Sequence, residues 1–158
     1  MPAPKLRLPA LDPATVADIA GTIAPEPYRR RMMARSKRKL GDALGLADFG
    51  VNITTLPPGV WSSIRHWHSH EDEFIYVLEG TLTLVTDAGE QTLGPGMAAG
   101  FPKGAPDGHH LINNSDKPAR YLEIGTRDPA RDNTEYPDAD LAIRPGKGLV
   151  RKDGSPIA

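Results

Sequence analysis

Five histidines lie between positions 66 and 110, in two groups: His66, His68 and His70, then His109 and His110. The chain has no cysteine, so thiolate sites and Cys nucleophiles are excluded and any cation must be held by imidazole, carboxylate or amide groups. In an extended segment His66-Trp67-His68 puts two imidazoles on one face, because strand side chains repeat every second residue; both then reach one ion at about 2.0–2.1 Å. Glu73 follows at an odd offset from His68, which in an unbroken strand would send it to the opposite face. A bend over 69–72 must therefore intervene, after which Glu73, Ile75 and Val77 share a face. A lone strand histidine is more simply explained by hydrogen bonding; several histidines with a carboxylate fit a borderline-to-hard divalent cation. Trp67 then points away from the ion, His70 is expected at the surface or behind the ligands, and Glu71 and Asp72 are expected to face solvent.

The elements that position these residues are short β-branched and apolar stretches divided by turn residues from Asp48 to Arg127, which predicts an antiparallel sandwich or barrel. Strands are expected at Val51 to Leu56, Val60 to His68, Phe74 to Leu78, Thr81 to Val85, Gln91 to Leu93, Met97 to Phe101, His109 to Asn113 and Ala119 to Thr126. Leu82 and Leu84 alternate onto one face. Asp87-Ala88-Gly89 signals a hairpin, Gly94-Pro95-Gly96 a tight turn, and Pro102 to Gly108 a loop.

Around this core, residues 1–47 read as an N-terminal arm with a strand packing on the barrel, and residues 128–158 as a polar, Pro-rich C-terminal extension lying on the sheet or on a second subunit. Ala14 to Ala20 allows only a short helical turn. The basic run from Arg29 to Lys39 reads as a strand or loop facing acidic residues, or as a patch for an anion such as phosphate. Sixteen glycines and sixteen prolines exclude an all-helical bundle. Nineteen Lys and Arg against twenty Asp and Glu leave no global field for nucleic acid or an anionic membrane. No stretch is apolar enough to span a bilayer and the opening residues lack a secretory h-region, so a soluble cytoplasmic protein is expected.

Gly59, His66-x-His68, Glu73 and Gly80, followed by Gly96, Pro102-Lys103-Gly104, a histidine and Asn113, resemble the two motifs of the cupin superfamily in order. The resemblance covers about Val51 to Arg127. It implies an all-β antiparallel double-stranded β-helix, the cupin or jelly-roll barrel, with N- and C-terminal extensions. It also implies one divalent metal ion (Zn, Fe, Mn or Ni) held by His66, His68, Glu73 and a third histidine. The gap after Gly104 is longer than in the motif and leaves His109 and His110 competing; spacing to Asn113 favours His109.

The chain looks most like small single-domain bacterial cupins, some provisionally described as sugar-phosphate isomerases. That implies a metal-dependent enzyme on a small polar metabolite, isomerase-like, with a base moving a proton between adjacent carbons. His110, Tyr76 or a carboxylate from another strand are candidates for that base, and no catalytic residue is assigned. An Fe-dependent dioxygenase and a non-catalytic ligand-binding or structural cupin are the alternatives. A small-molecule ligand is expected, with no nucleic-acid or membrane partner, and the long extensions suggest a homodimer.

Overall fold

The period-two stretches become antiparallel strands in a computed structural model, which describes residues 6–157. The first five residues of the expected arm lie outside the described residues. In chain order the elements are β1 (Ile19–Ala20), a helical turn α1 (Arg29–Met32), β2 (Ser36–Lys39), a second turn α2 (Leu40–Ala43), β3 (Phe49–Leu56), β4 (Trp67–His68), β5 (Glu73–Glu79), β6 (Leu82–Thr86), β7 (Gly89–Leu93), β8 (Ala98–Phe101), β9 (His110–Ile112), β10 (Ala119–Thr126), β11 (Thr134–Tyr136), β12 (Leu141–Arg144) and β13 (Gly148–Val150). A 3-10 turn at Pro13–Thr15 overlaps only the start of the helical turn expected over Ala14 to Ala20, whose end is strand β1.

One layer is a six-stranded sheet in the order β1-β2-β3-β10-β5-β8. The other is built from a four-stranded sheet, β13-β12-β11-β4, and a three-stranded one, β7-β6-β9. An isolated bridge between His66 and His109 joins these two edge to edge, so the second layer is nearly continuous. All pairings are antiparallel, and the architecture is a jelly-roll β-barrel. Inward residues from both layers, Leu56, Ile75, Val77, Leu82, Leu84, Leu111 and Tyr121 among them, form the principal core. Leu82 and Leu84 are both buried there, as their alternation requires. A second cluster under the N- and C-terminal segments gathers Met32, Ile64 and Leu141, with Trp61 and Tyr136 packed against it.

Glycine is obligatory at Gly80. Its φ is +78°, and a Cβ there would come within 2.8 Å of both the Ala119 Cα and the Pro118 carbonyl oxygen. The β5–β6 turn thus depends on close backbone approach to the start of β10.

Three expectations change. The segment from Val60 to His68 is not one strand: Trp61 bridges Ile112, only Trp67–His68 lies in a strand, and the chain bends between them. The Ser62 hydroxyl accepts from the Leu111 N–H at 2.8 Å, so a side chain takes the place of a ladder carbonyl. The basic run is a strand over Ser36–Lys39, within the expected reading, but helical over Arg29–Met32, where Met32, 1% exposed, turns inward to fill the second cluster. Three of its seven cations pair with carboxylates, Arg30 with Glu26, Lys37 with Glu123 and Arg38 with Asp18. The Pro-rich C-terminal segment contains three strands that its polarity hid, and β11 pairs directly with β4 beside His68.

Candidate metal centre

The two layers deliver the histidines and the carboxylate to one point. His66 and His109 face each other across the bridge between the halves of the second layer, with ring centroids 4.7 Å apart. His68 lies two residues on, at the end of β4, and its ring meets that of His66 edge-on at 5.1 Å. The chain then bends over 69–72 and crosses to the other layer, so Glu73 enters from β5 despite its odd offset. Its carboxylate accepts from His109 Nε2 at 2.6 Å and lies 3.4 Å from His66 Nε2 and 3.6 Å from His68 Nε2. Donor atoms of His66, His68 and Glu73 all lie within 4.8 Å of one another, a spacing one ion can span.

The outward ring nitrogens fix the tautomers. His66 donates Nδ1–H to the Ile64 carbonyl oxygen at 2.9 Å, and a carbonyl can only accept. His68 donates Nδ1–H to the Asp132 carboxylate at 2.7 Å. Both rings therefore present Nε2 to Glu73, the arrangement by which a carboxylate or carbonyl orients a metal-binding imidazole. His109 is held differently: it stacks flat on Phe101, 3.5 Å between centroids at 2°, and its Nδ1 is buried without a partner among the described residues. The donor set of imidazole Nε2 atoms and one carboxylate fits a divalent cation.

Charge follows from this packing. Burial opposes ionisation of Glu73, but the hydrogen bond from His109 and the close His66 and His68 rings outweigh it and hold its carboxyl well below the usual range. Burial also opposes the His68 cation, yet Glu73 and Asp132 at its two nitrogens raise its pKa to about 9. His109 goes the other way, since burial prevails over Glu73 and lowers it.

The remaining candidates separate clearly. His110, adjacent to His109 and so on the opposite side of its strand, donates Nδ1–H to the Ser63 carbonyl at 2.9 Å and meets Trp61 edge-on. His70 is exposed and bonds the Ser69 hydroxyl. Asp72 is exposed as expected, and one of its oxygens accepts from the Lys103 N–H. Glu71 is half-buried instead of solvent-facing: its carboxylate accepts from the Asp128 N–H, and burial foremost raises its pKa. Tyr76 faces outward on β5 with Phe74 and Leu78, on the side of the sheet opposite Glu73, so it is removed as a base. Buried Asn113 closes the following turn, donating Nδ2–H to the Leu56 and Lys117 carbonyls at 2.7 Å each.

Asp132 and Tyr136 were not singled out from sequence. Asp132 is 7% exposed and sits where the chain returns to pair with β4. Tyr136, on β11, has its ring 6.0 Å from His66, and burial, then the Glu73 charge, pushes its pKa to about 12. No periodic pattern marked either residue; a Pro-rich segment with one carboxylate every few positions resembles a solvated tail.

The cluster lines a cavity of about 310 Å³ between the layers. Arg35 and Lys37, from the basic run, and Arg127 also line it, together with Asn52, Tyr121 and Glu123. A smaller cavity of about 90 Å³ lies behind the cluster against Trp67 and the 102–107 loop, sharing His68, Glu73 and His109 with the larger one.

A family model described as a cupin domain matches residues 52–125. Among solved structures, the chain is similar to a sugar phosphate isomerase from a cupin superfamily of Silicibacter pomeroyi DSS-3, with 43% identity over 95% of this chain and 97% of that one and a TM-score of 0.88. A protein of Acidithiobacillus ferrooxidans ATCC 23270, provisionally named a sugar phosphate isomerase, is 31% identical over 78% of this chain and 80% of its own, with a TM-score of 0.69. The polyketide cyclase RemF of Streptomyces resistomycificus is 25% identical over 75% and 79%, with a TM-score of 0.61. No curated protein matches the sequence.

Proposed function

Because the chain belongs to the cupin superfamily, we propose that it is a metal-dependent isomerase of a small sugar phosphate, with His66, His68, Glu73 and His109 as the ligands of one divalent ion. The observation that carries this reading is the convergence of His66, His68 and Glu73, with His109 hydrogen-bonded to that carboxylate, on the wall of a cavity that also holds Arg35, Lys37 and Arg127. Bound there, a divalent cation supplies a Lewis acid for a hydroxycarbonyl group. The protein's own residues do the rest. Asp132 and the Ile64 carbonyl aim the imidazoles, and Phe101, Ile75 and Leu111 give the cavity apolar walls that exclude water. Arg35 of the basic run, fixed on the Ser62 and Gly21 carbonyls, and Arg127, paired with Asp42, add positive charge to this wall and favour an anionic ligand such as a phosphate, the role left open for the basic run. The names of the two isomerase relatives favour the same substrate class.

A homodimer is part of the proposal. It is supported by the outer face of the six-stranded sheet, where Phe49, Phe74, Tyr76 and Leu78 are all about 40% exposed.

The test is elemental analysis of protein purified without added metal, followed by NMR of three- to six-carbon aldose and ketose phosphates incubated with it. Interconversion that stops on chelation and returns with the metal supports the reading. Oxygen uptake with bound Fe(II) and no interconversion transfers the site to an oxygenase, and a metal-free protein without turnover removes both.

A further inference from the structure

The four side chains proposed to hold the ion leave the isomerisation without a base. Three carboxylates line the larger cavity: Glu71, Glu73 and Glu123. Glu73 is surrounded by imidazoles, and Glu71 is tied to the Asp128 N–H beside His68. Glu123 differs from both. It stands on the inner face of β10, opposite Asn52 of β3 and Ile75 of β5. The next inward position of β10 is Gly125, which lies opposite Glu73. Glu123 and Glu73 are therefore diagonal neighbours on one sheet face, with Cα atoms about 7–8 Å apart. No side chain fills the position between them on β10, because a Cβ at Gly125 would already lie 3.3 Å from the Asp72 carbonyl oxygen and 3.8 Å from Glu73 Cγ.

Glu123 is also held in an asymmetric way. Its Oε1 accepts from Asn52 Nδ2 at 3.0 Å and pairs with Lys37. Its Oε2 has no hydrogen-bond or ion-pair partner among the described residues. Two donors clamp one oxygen and leave the other with free lone pairs in the cavity, which suits a carboxylate that must be fixed yet able to take a proton.

We propose that Glu123 is the general base that shuttles the proton between adjacent carbons of the substrate. This rests on the isomerase reading above. Oε2 removes the proton from the carbon bearing the hydroxyl group; the C–H electron pair becomes the new carbon–carbon double bond, and the carbonyl π pair moves onto oxygen. The hydroxyl proton passes to that oxygen, and protonated Glu123 returns its proton to the former carbonyl carbon. An aldose thereby becomes a ketose with no gain or loss of atoms or electrons.

The experiment uses the full chain loaded with Mn²⁺ and a panel of triose to hexose phosphates in D₂O, with deuterium incorporation beside the carbonyl followed by NMR. Wild-type protein is expected to exchange. E123Q, whose amide oxygen keeps the Lys37 and Asn52 contacts, is expected to exchange at least about 100-fold more slowly while retaining Mn²⁺, as read from water-proton relaxation. The double variant K37M/E123Q, which leaves no unpaired cation behind, should be equally slow. Near-wild-type exchange by either variant, or loss of Mn²⁺ from both, overturns the role of Glu123 and leaves the isomerase reading standing. If metal-loaded wild type exchanges none of the sugars, the isomerase reading falls and the base falls with it.

Discussion

His66 and His109 exchange both of their backbone hydrogen bonds, His66 N–H to the His109 carbonyl at 3.1 Å and His109 N–H to the His66 carbonyl at 2.9 Å. This reciprocal pair joins the two halves of the second layer, so main-chain register alone sets two imidazoles beside each other. Glu73, from the opposite layer, meets them across the barrel interior.

Removing a member of this cluster should abolish tight metal binding without unfolding the barrel. H68A and E73Q are expected to copurify with less than a tenth of the wild-type metal, measured by inductively coupled plasma mass spectrometry, while their circular dichroism keeps the β signature. H110Q is expected to retain the metal, since its ring lies on the other side of β9 against Trp61 and the Ser63 carbonyl.

In the proposed site Asp132 acts on the cation through the His68 ring it orients. D132N should weaken metal affinity by about 10–100-fold, read by competition with a chromophoric chelator. Wild-type affinity in D132N would show that the 2.7 Å contact does not orient the ring.

His68 gives opposite pH trends in the two states. Its folded pKa is raised to about 9 from 6.5, so in chelator-stripped protein its stabilisation is complete below about pH 6.5 and is lost as pH rises through about 9. Glu73, depressed in the folded state, adds stability that is present above about pH 4.3 and is lost as pH falls through its lowered value. A cation must displace the His68 proton, so apparent metal affinity should rise about tenfold per pH unit from 7 to 9. Calorimetry in buffers of different ionisation enthalpy would count the released proton. A flat affinity over that range would contradict the charge state given to His68.

At Gly80, substitution by alanine imposes a left-handed backbone on a β-carbon that also collides with Ala119 and the Pro118 carbonyl. G80A should lower stability by about 2 kcal/mol or more, visible as a shift in the urea midpoint. G59A, where a Cβ meets nothing within 4 Å, should cost less.

Sedimentation velocity tests the proposed homodimer. Replacing Phe74 and Tyr76 with serine should convert it to monomer and leave bound metal unchanged, since both residues face away from Glu73.

What the sequence exposed was whatever obeys a local period. His66 and His68 are two apart, Leu82 and Leu84 likewise, and Asp87-Ala88-Gly89 turns where expected because those residues carry their own turn chemistry. The odd step to Glu73 was readable for the same reason, since alternation demanded a bend. The break at Ser62 was not, because it depends on a hydroxyl meeting Leu111 from a distant strand. Nor was Asp132 readable: its partner is 64 positions earlier, and β11 to β13 are too short for alternation to stand out among prolines. The basic run was legible as charge, but its inward strand at Lys37 is fixed by pairing with Thr54 of β3, which no local pattern reports.

The pairing of β11 with β4 bears on how far the working unit extends. The family match ends at residue 125, yet the acid that steadies His68 and the tyrosine ring beside His66 come from 132 and 136. Transplanting residues 52–125 alone into another protein would carry all four proposed ligands and the general base. It would leave behind the lysine clamped to that base and the tail that keeps one imidazole from swinging, and the graft should hold metal loosely.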